Sequence, residues 1–265
     1  MNKFLAILTD SLLEITSRKI IFLYAALTLF MVLIIVLIPN FKIDGQSVMG
    51  SDLVSPELIT EVLAGFIDAF LGFLIFLMVF GSAGFLPSYL KKGRVELLLS
   101  KPINRMTLLT MKFLAVYIIM CAIMAIVTTI IWLAISIRLG YFSGYYFYGL
   151  LFAFVYFLVI YIIIFAIGTA SRSGAIAIMG YFIIRIATDL LMGREVVYGF
   201  LGDSVWKTVL NTVYHIAPKM GEMAGNFEPL MRGEGFVNTY PVFSTLGFAV
   251  VVFLATLLVF QKRDY

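Results

Sequence analysis

An all-helical integral membrane protein is the fold class this sequence predicts, and three observations predict it. The 265 residues are 62% hydrophobic and only 13% charged, against about 45–50% and about 25% in soluble domains. The mean hydropathy is +1.06, more apolar surface than a soluble core of this size absorbs. Apolar runs long enough to cross hydrocarbon as a helix, about 20 residues each, recur between polar breaks. These observations exclude a soluble enzyme, a nucleic-acid-binding module and a disordered chain.

The elements follow in order. Residues 1–19 are too polar to span. Phe4, Leu5, Leu8, Leu12 and Ile15 recur at helical spacing, with Lys3, Asp10, Glu14 and Ser17 on another face. That pattern predicts an amphipathic elbow helix in the membrane interface. Span 1 covers about 20–38 and is read as retained, because it is too long for a signal h-region and no cleavage motif follows. Span 2, about 59–86, carries Glu61 near its start and Asp68 deeper. Span 3, about 108–137, is long enough to require tilt or projection. The aromatic run from Tyr141 to Tyr148 leads into span 4, about 147–170. A Ser-Arg-Ser-Gly turn precedes span 5, about 175–192, which contains Arg185 and Asp189. Residues 193–240 read as a mixed-charge loop with a short helix over 205–216, and span 6 covers about 242–260. The whole chain, 1–265, reads as a single transmembrane domain.

Six spans place both termini on one side. Lys3, Arg18, Lys19, the bases of 88–112, Arg172, Lys262 and Arg263 collect there, against Asp10, Glu14, Glu96 and Asp264. Cytoplasmic loops carry the Lys/Arg excess. The chain therefore reads as a multi-pass protein of a cell (inner or plasma) membrane with both termini cytoplasmic, and 193–240 as extracytoplasmic.

Residues of catalytic type are sparse. No G-x-x-x-x-G-K-[ST] loop is present to hold ATP phosphates, and neither H-E-x-x-H nor G-x-S-x-G occurs. The single cysteine, Cys121, lies in an apolar run, and the single histidine, His215, lies in the outer loop without an evident partner set. No catalytic, cofactor or metal-binding residues are therefore assigned. Arg185 and Asp189 are four apart and share a helix face. They read either as an ion pair that locks helix packing or as a polar patch on a transport path. Asp68 reads as facing Arg185 across a helix interface or as sitting near the outer surface.

Residues 88–112 are the strongest functional lead. Lys91, Lys92 and Arg94 precede a short apolar helix over 95–99, which includes Leu97 and Leu98 and carries Glu96. Lys101-Pro102 breaks the chain, since proline disfavours helix at the residue before it. Arg105 and Thr107 then restart it. A short helix parallel to the membrane between two long spans suits a cytoplasmic docking surface.

The arrangement resembles the permease subunit of ABC-2 type (type V) ABC transporters. Gly93-Arg94-Val95-Glu96-Leu97-Leu98-Leu99-Ser100-Lys101-Pro102-Ile103-Asn104-Arg105, with Leu108-Leu109 and Lys112-Phe113 beyond, is similar to that family's coupling-helix loop. The tail from Val259 to Tyr265 is similar to the family's exit from span 6. In one departure, Tyr89-Leu90-Lys91-Lys92 replaces the acidic approach common in the family. The resemblance implies an ATP-driven transporter, with an exporter the expected direction. Two permease chains, identical or paralogous, would form the path in the lipid bilayer, and an ABC ATPase dimer would bind the ATP. Lys91, Lys92, Arg94, Glu96, Leu97, Leu98, Lys101, Pro102 and Arg105 would meet the ATPase. An extracytoplasmic partner at 193–240 is a further implication of the family's long outer loops. Two other readings stand beside this one. One is a membrane scaffold or assembly protein working through 193–240. The other is an intramembrane enzyme using Asp68, Arg185 and Asp189.

Overall fold

The computed structural model describes residues 3–37, 42–43, 46–47, 56–85, 105–194 and 205–262. The described residues form an α-helical bundle with six helices long and apolar enough to cross a membrane. A two-residue antiparallel ladder, β1 (Lys42–Ile43) with β2 (Gln46–Ser47), lies between the first and second of these.

Helix α1 (Lys3–Ser17) is the elbow. Leu5, Leu12 and Leu13 point outward, while Ser11 and Ile15 are fully buried. Part of the acidic face meets protein rather than water. Glu14 is only 9% exposed, whereas Asp10 keeps 48%. Helix α1 ends where Lys19 takes φ 58°, a left-handed conformation that costs a non-glycine residue about 1–2 kcal/mol and turns the chain into the next helix.

Helix α2 (Ile20–Leu37) is apolar on all sides and buries only Tyr24, Thr28 and Ile35. A helix of this kind in water would aggregate, and in lipid its exposed leucines and phenylalanines are satisfied. Its last carbonyls are capped from a distance. Arg138 donates to Ile35 O, and to Val36 O at 2.7 Å, cationic help at the negative end of a helix.

Helix α3 (Pro56–Ala83) begins on proline, which is tolerated in a first turn. Leu63, Ala64, Ile67, Leu71, Leu74 and Met78 form its buried stripe at three- and four-residue spacing. Helix α4 (Arg105–Leu139) is 35 residues long, about 52 Å at 1.5 Å per residue.

Helix α5 (Tyr146–Ser171) is the hub, with 67% of its spanning window buried. It packs against α3, α4 and the two helices that follow α4 and α5 in the bundle, α6 (Gly174–Met192) and α10 (Tyr240–Gln261). An aromatic seam holds α4, α5 and α10 together. Phe113 lies 4.9 Å from the Tyr161 ring, 4.8 Å from Phe165 and 4.9 Å from Phe253. Toward the other end of α4, Trp132 stacks on Tyr146, whose hydroxyl lies 2.8 Å from Thr128 Oγ1 and 3.1 Å from Thr129 Oγ1. A buried phenol is tolerable only with such partners.

Between α6 and α10 the chain forms α7 (Val205–Ile216), α8 (Met220–Ala224) and α9 (Phe227–Arg232). Helix α7 is amphipathic, with Trp206, Val209, Val213 and Ile216 exposed along one stripe and Tyr214 buried on the other. Helices α8 and α9 turn back into the bundle, where Met220, Met223, Phe227 and Met231 are buried. The sequence suggested an interrupted loop here because Pro218, Pro229 and several glycines break its periodicity. The breaks instead separate two single-turn helices whose apolar residues are covered by α3, α5 and α6.

Candidate functional site: a charged clamp and a polar cavity

Two polar constructions stand at opposite ends of the bundle. The first joins the elbow to the end of α3 and the first turns of α4. Lys112, 1% exposed, directs its Nζ to Glu14 Oε2 at 3.1 Å and Asp10 Oδ2 at 3.4 Å. Glu14 Oε1 also accepts from Arg18 Nη2 at 2.9 Å. The same Arg18 nitrogen donates to Gly84 O at 3.2 Å, and its guanidinium lies 4.9 Å from the centre of the Phe85 ring. A Cβ on Gly84 would stand 2.6 Å from Arg18 Nη1, so glycine is what admits the guanidinium. Glu14 thus bridges two cations, one bound to the end of α3 and one fixed in α4.

Those two points flank the sequence motif. Lys91, Lys92, Arg94, Glu96, Leu97, Leu98, Lys101 and Pro102 lie outside the described residues, as does the helix expected over 95–99. Arg105 opens α4. The clamp itself was not anticipated from the sequence, which placed Asp10 and Glu14 on the polar face of the elbow without a partner. The available signal was Lys112, a lysine set in an apolar helical run that demands a counter-charge, with two acids one turn apart on the elbow to supply it.

The second construction is a cavity of about 540 Å³ between α3, α5, α6 and the α8–α9 turn. Asp68 and Arg185 both line it, so the structure brings them to one space. They do not form an ion pair with each other. Arg185 Nη1 instead lies 2.9 Å from Asp189 Oδ1 within α6. Five rings, Phe76, Tyr156, Tyr181, Phe182 and Phe227, share the remaining wall with small and aliphatic residues. These rings carried no sequence signal, because each sits in an apolar run that reads as packing. Asp189 is engaged by Arg185 and is not among the residues that line the cavity with Asp68.

The α8–α9 turn is held over this cavity by polar contacts. Arg232 pairs with Glu228 in its own helix and with Glu61 of α3 at 3.3 Å. Asn226, 1% exposed, accepts from the amides of Val237 and Asn238 and donates to Glu222 O and Met223 O. Lys219 is buried beside α10. Its amide donates to Thr245 Oγ1 and its Nζ to Ser244 Oγ, with the Tyr214 and Tyr240 rings 4.6 and 5.0 Å away. Burial pulls its ammonium below the usual lysine range, against the neighbouring Glu222. Tyr214 donates to Glu222 Oε1 at 2.7 Å. Burial first, then Glu222, pushes this phenol up to about 12. His215 Nδ1 lies 2.7 Å from Tyr240 Oη, a structural contact.

One comparison decides the family. A model described as ABC-2 family transporter protein matches residues 13–265. The chain belongs to the ABC-2 family. It is a permease subunit of an ABC transporter and a multi-pass membrane protein, and the membrane component of such a transporter is not itself catalytic. An ABC ATPase is the general partner of an ABC-2 permease. No curated protein and no solved structure matches the chain significantly.

Proposed function

We propose that this chain is the permease half of an ATP-driven exporter, in which two permease chains form the path and a separate ABC ATPase dimer holds and hydrolyses ATP. The termini and the loop between α3 and α4 face the cytoplasm, as the distribution of Lys and Arg requires. The ATPase docks on that loop through Lys91, Lys92, Arg94, Glu96, Leu97, Leu98, Lys101, Pro102 and Arg105. The observation that carries the reading is the placement of the clamp. Glu14 ties the elbow to Gly84 and to Lys112, on either side of the loop, so a push on the loop reaches α1, α3 and α4 as one unit. Asp68, Arg185 and Asp189 provide the polar part of the path near the other end. The test is purification of the tagged chain in mild detergent with an assay for ATP hydrolysis. A stoichiometric ATPase that is lost on deleting 91–99, with insertion unchanged, supports the reading. Undiminished transport by the deletion variant sinks it.

A second reading is favoured by one observation, the exposed stripe of Trp206, Val209, Val213 and Ile216 on α7. It suits an extracytoplasmic partner bound at 193–240, with the chain acting as an assembly protein. Partner capture that persists without any ATPase would select it.

A further inference from the structure

The cavity beside α6 carries an unbalanced charge. Arg185 is neutralised by Asp189. Asp68 makes no hydrogen bond or ion pair among the described residues, and a second acid, Glu228, lies close enough across the turn to act on it. Glu228 is itself occupied by Arg232. The cavity therefore presents one carboxylate with no partner, inside a wall of Phe76, Tyr156, Tyr181, Phe182 and Phe227. Its volume of about 540 Å³ falls in the range of small-molecule sites, roughly 300–1,000 Å³.

The wall chemistry selects the ligand. Aromatic faces carry negative quadrupoles and attract cations, and their bodies bury apolar groups. A bare calcium or magnesium ion needs six or more oxygen ligands, and this wall offers one carboxylate and the Tyr hydroxyls. An anion would meet Asp68, and the charge of Arg185 is already balanced by Asp189, although its buried Nη1 makes no hydrogen bond. We propose that this cavity binds an organic monocation with an apolar body, a protonated or quaternary amine or its equivalent, with Asp68 as the counter-charge and the five rings as the enclosure. The proposal deepens the permease reading and rests on it for the direction of travel. The site itself belongs to the single chain.

The experiment compares two ions of one shape and opposite charge. Radiolabelled tetraphenylphosphonium and tetraphenylborate are equilibrated with the full chain, together with whatever ATPase accompanies it, in lipid nanodiscs. The cation is expected to bind saturably, and the anion is not. Asp68→Asn weakens the cation by at least about tenfold, the loss of one charge-assisted contact, and Asp68→Glu recovers most of it. Asp189→Asn releases the charge of Arg185 into the cavity and weakens the cation as well. Equal binding of the two ions, or unaltered cation binding by Asp68→Asn, overturns the proposal.

Should Asp68→Asn fail to elute as a single folded species, protection decides instead. In a Cys121→Ser background, Ala224→Cys, which lines the cavity without being one of the five rings, is labelled with a maleimide with and without the cation. Protection supports the site, and undiminished labelling overturns it. Displacement by lysophosphatidylcholine assigns the natural cation to a lipid head group, and displacement by soluble amphiphilic amines alone assigns it to a free solute. The permease reading fails separately, by the absence of a co-purifying ATPase.

Discussion

Glu14 holds two cations with one carboxylate, and the costs of removing each partner differ. Glu14→Gln leaves the nearly buried Lys112 with Asp10 as its carboxylate, and breaking a buried pair from one side costs about 3–5 kcal/mol. The discount for the half-exposed Asp10 brings the expected loss to about 2 kcal/mol, read as a lower unfolding midpoint in detergent. Lys112→Met also breaks the pair from one side, leaving the buried Glu14 with Arg18, so the midpoint falls. The double variant Glu14→Gln/Lys112→Met removes both buried charges and should recover most of that loss. What it loses is position. Basal ATP hydrolysis by the associated ATPase remains, and its stimulation by the permease falls. At the other end, Tyr214 gives a pH prediction. Its folded-state pKa lies above the ordinary tyrosine value of 10.0, so the folded state binds more protons. The stabilising contribution is complete below about pH 10 and disappears as pH rises through about 12. The ionisation difference spectrum between the native chain and Tyr214→Phe should have its midpoint nearer 12 than 10.

At the scale of elements, α9 is seated against α5 by a close approach. A Cβ on Gly149 would lie 2.5 Å from Met231 Cγ and 2.6 Å from its Cε. Gly149→Ala therefore overpacks the seat at a cost of about 1–3 kcal/mol. Added to Met231→Ala, which has its own cavity cost, Gly149→Ala should cost little further, a coupling measured as a double-mutant cycle in thermal stability. These contacts also mark where the sequence stopped being legible. The long helices could be read because hydropathy over about 20 residues is a strong, redundant signal. Helices α8 and α9 are five and six residues long, too short for periodicity to register. The pairing of Arg185 with Asp189 was readable from i,i+4 spacing. The meeting of Asp68 with Tyr156 and Phe227 was not, since it depends on how α3, α5 and the α8–α9 turn converge. The inward turn of Asp10 and Glu14 was hidden for a similar reason, because amphipathic spacing defines a polar face and leaves open whether water or a lysine covers it.

For the molecule as a whole, the proposed orientation makes a direct prediction. In a Cys121→Ser background, Lys207→Cys on α7 should react with a membrane-impermeant maleimide in intact cells, and Lys262→Cys only after permeabilisation. The reverse pattern would invert the assignment of sides. Helix α4 gives the bundle a further mechanical property. Its 35 residues make a rod of about 52 Å in hydrocarbon about 30 Å thick, so part of it stands in water or lies strongly tilted. Each tip is about 26 Å from the midpoint, and a rotation of about 5° there sweeps both tips by about 2 Å in opposite senses. Lys112 lies two turns in from one tip, about 10 Å along the rod, and Arg138, gripping the end of α2, lies at the other. A stroke delivered beside Lys112 is thus returned, reversed, at the far tip. The gain of this lever depends on where the membrane places its fulcrum. A thicker bilayer that draws the rod upright should shorten the sideways throw, so turnover in vesicles would fall as acyl chains lengthen, with ATPase association unaltered.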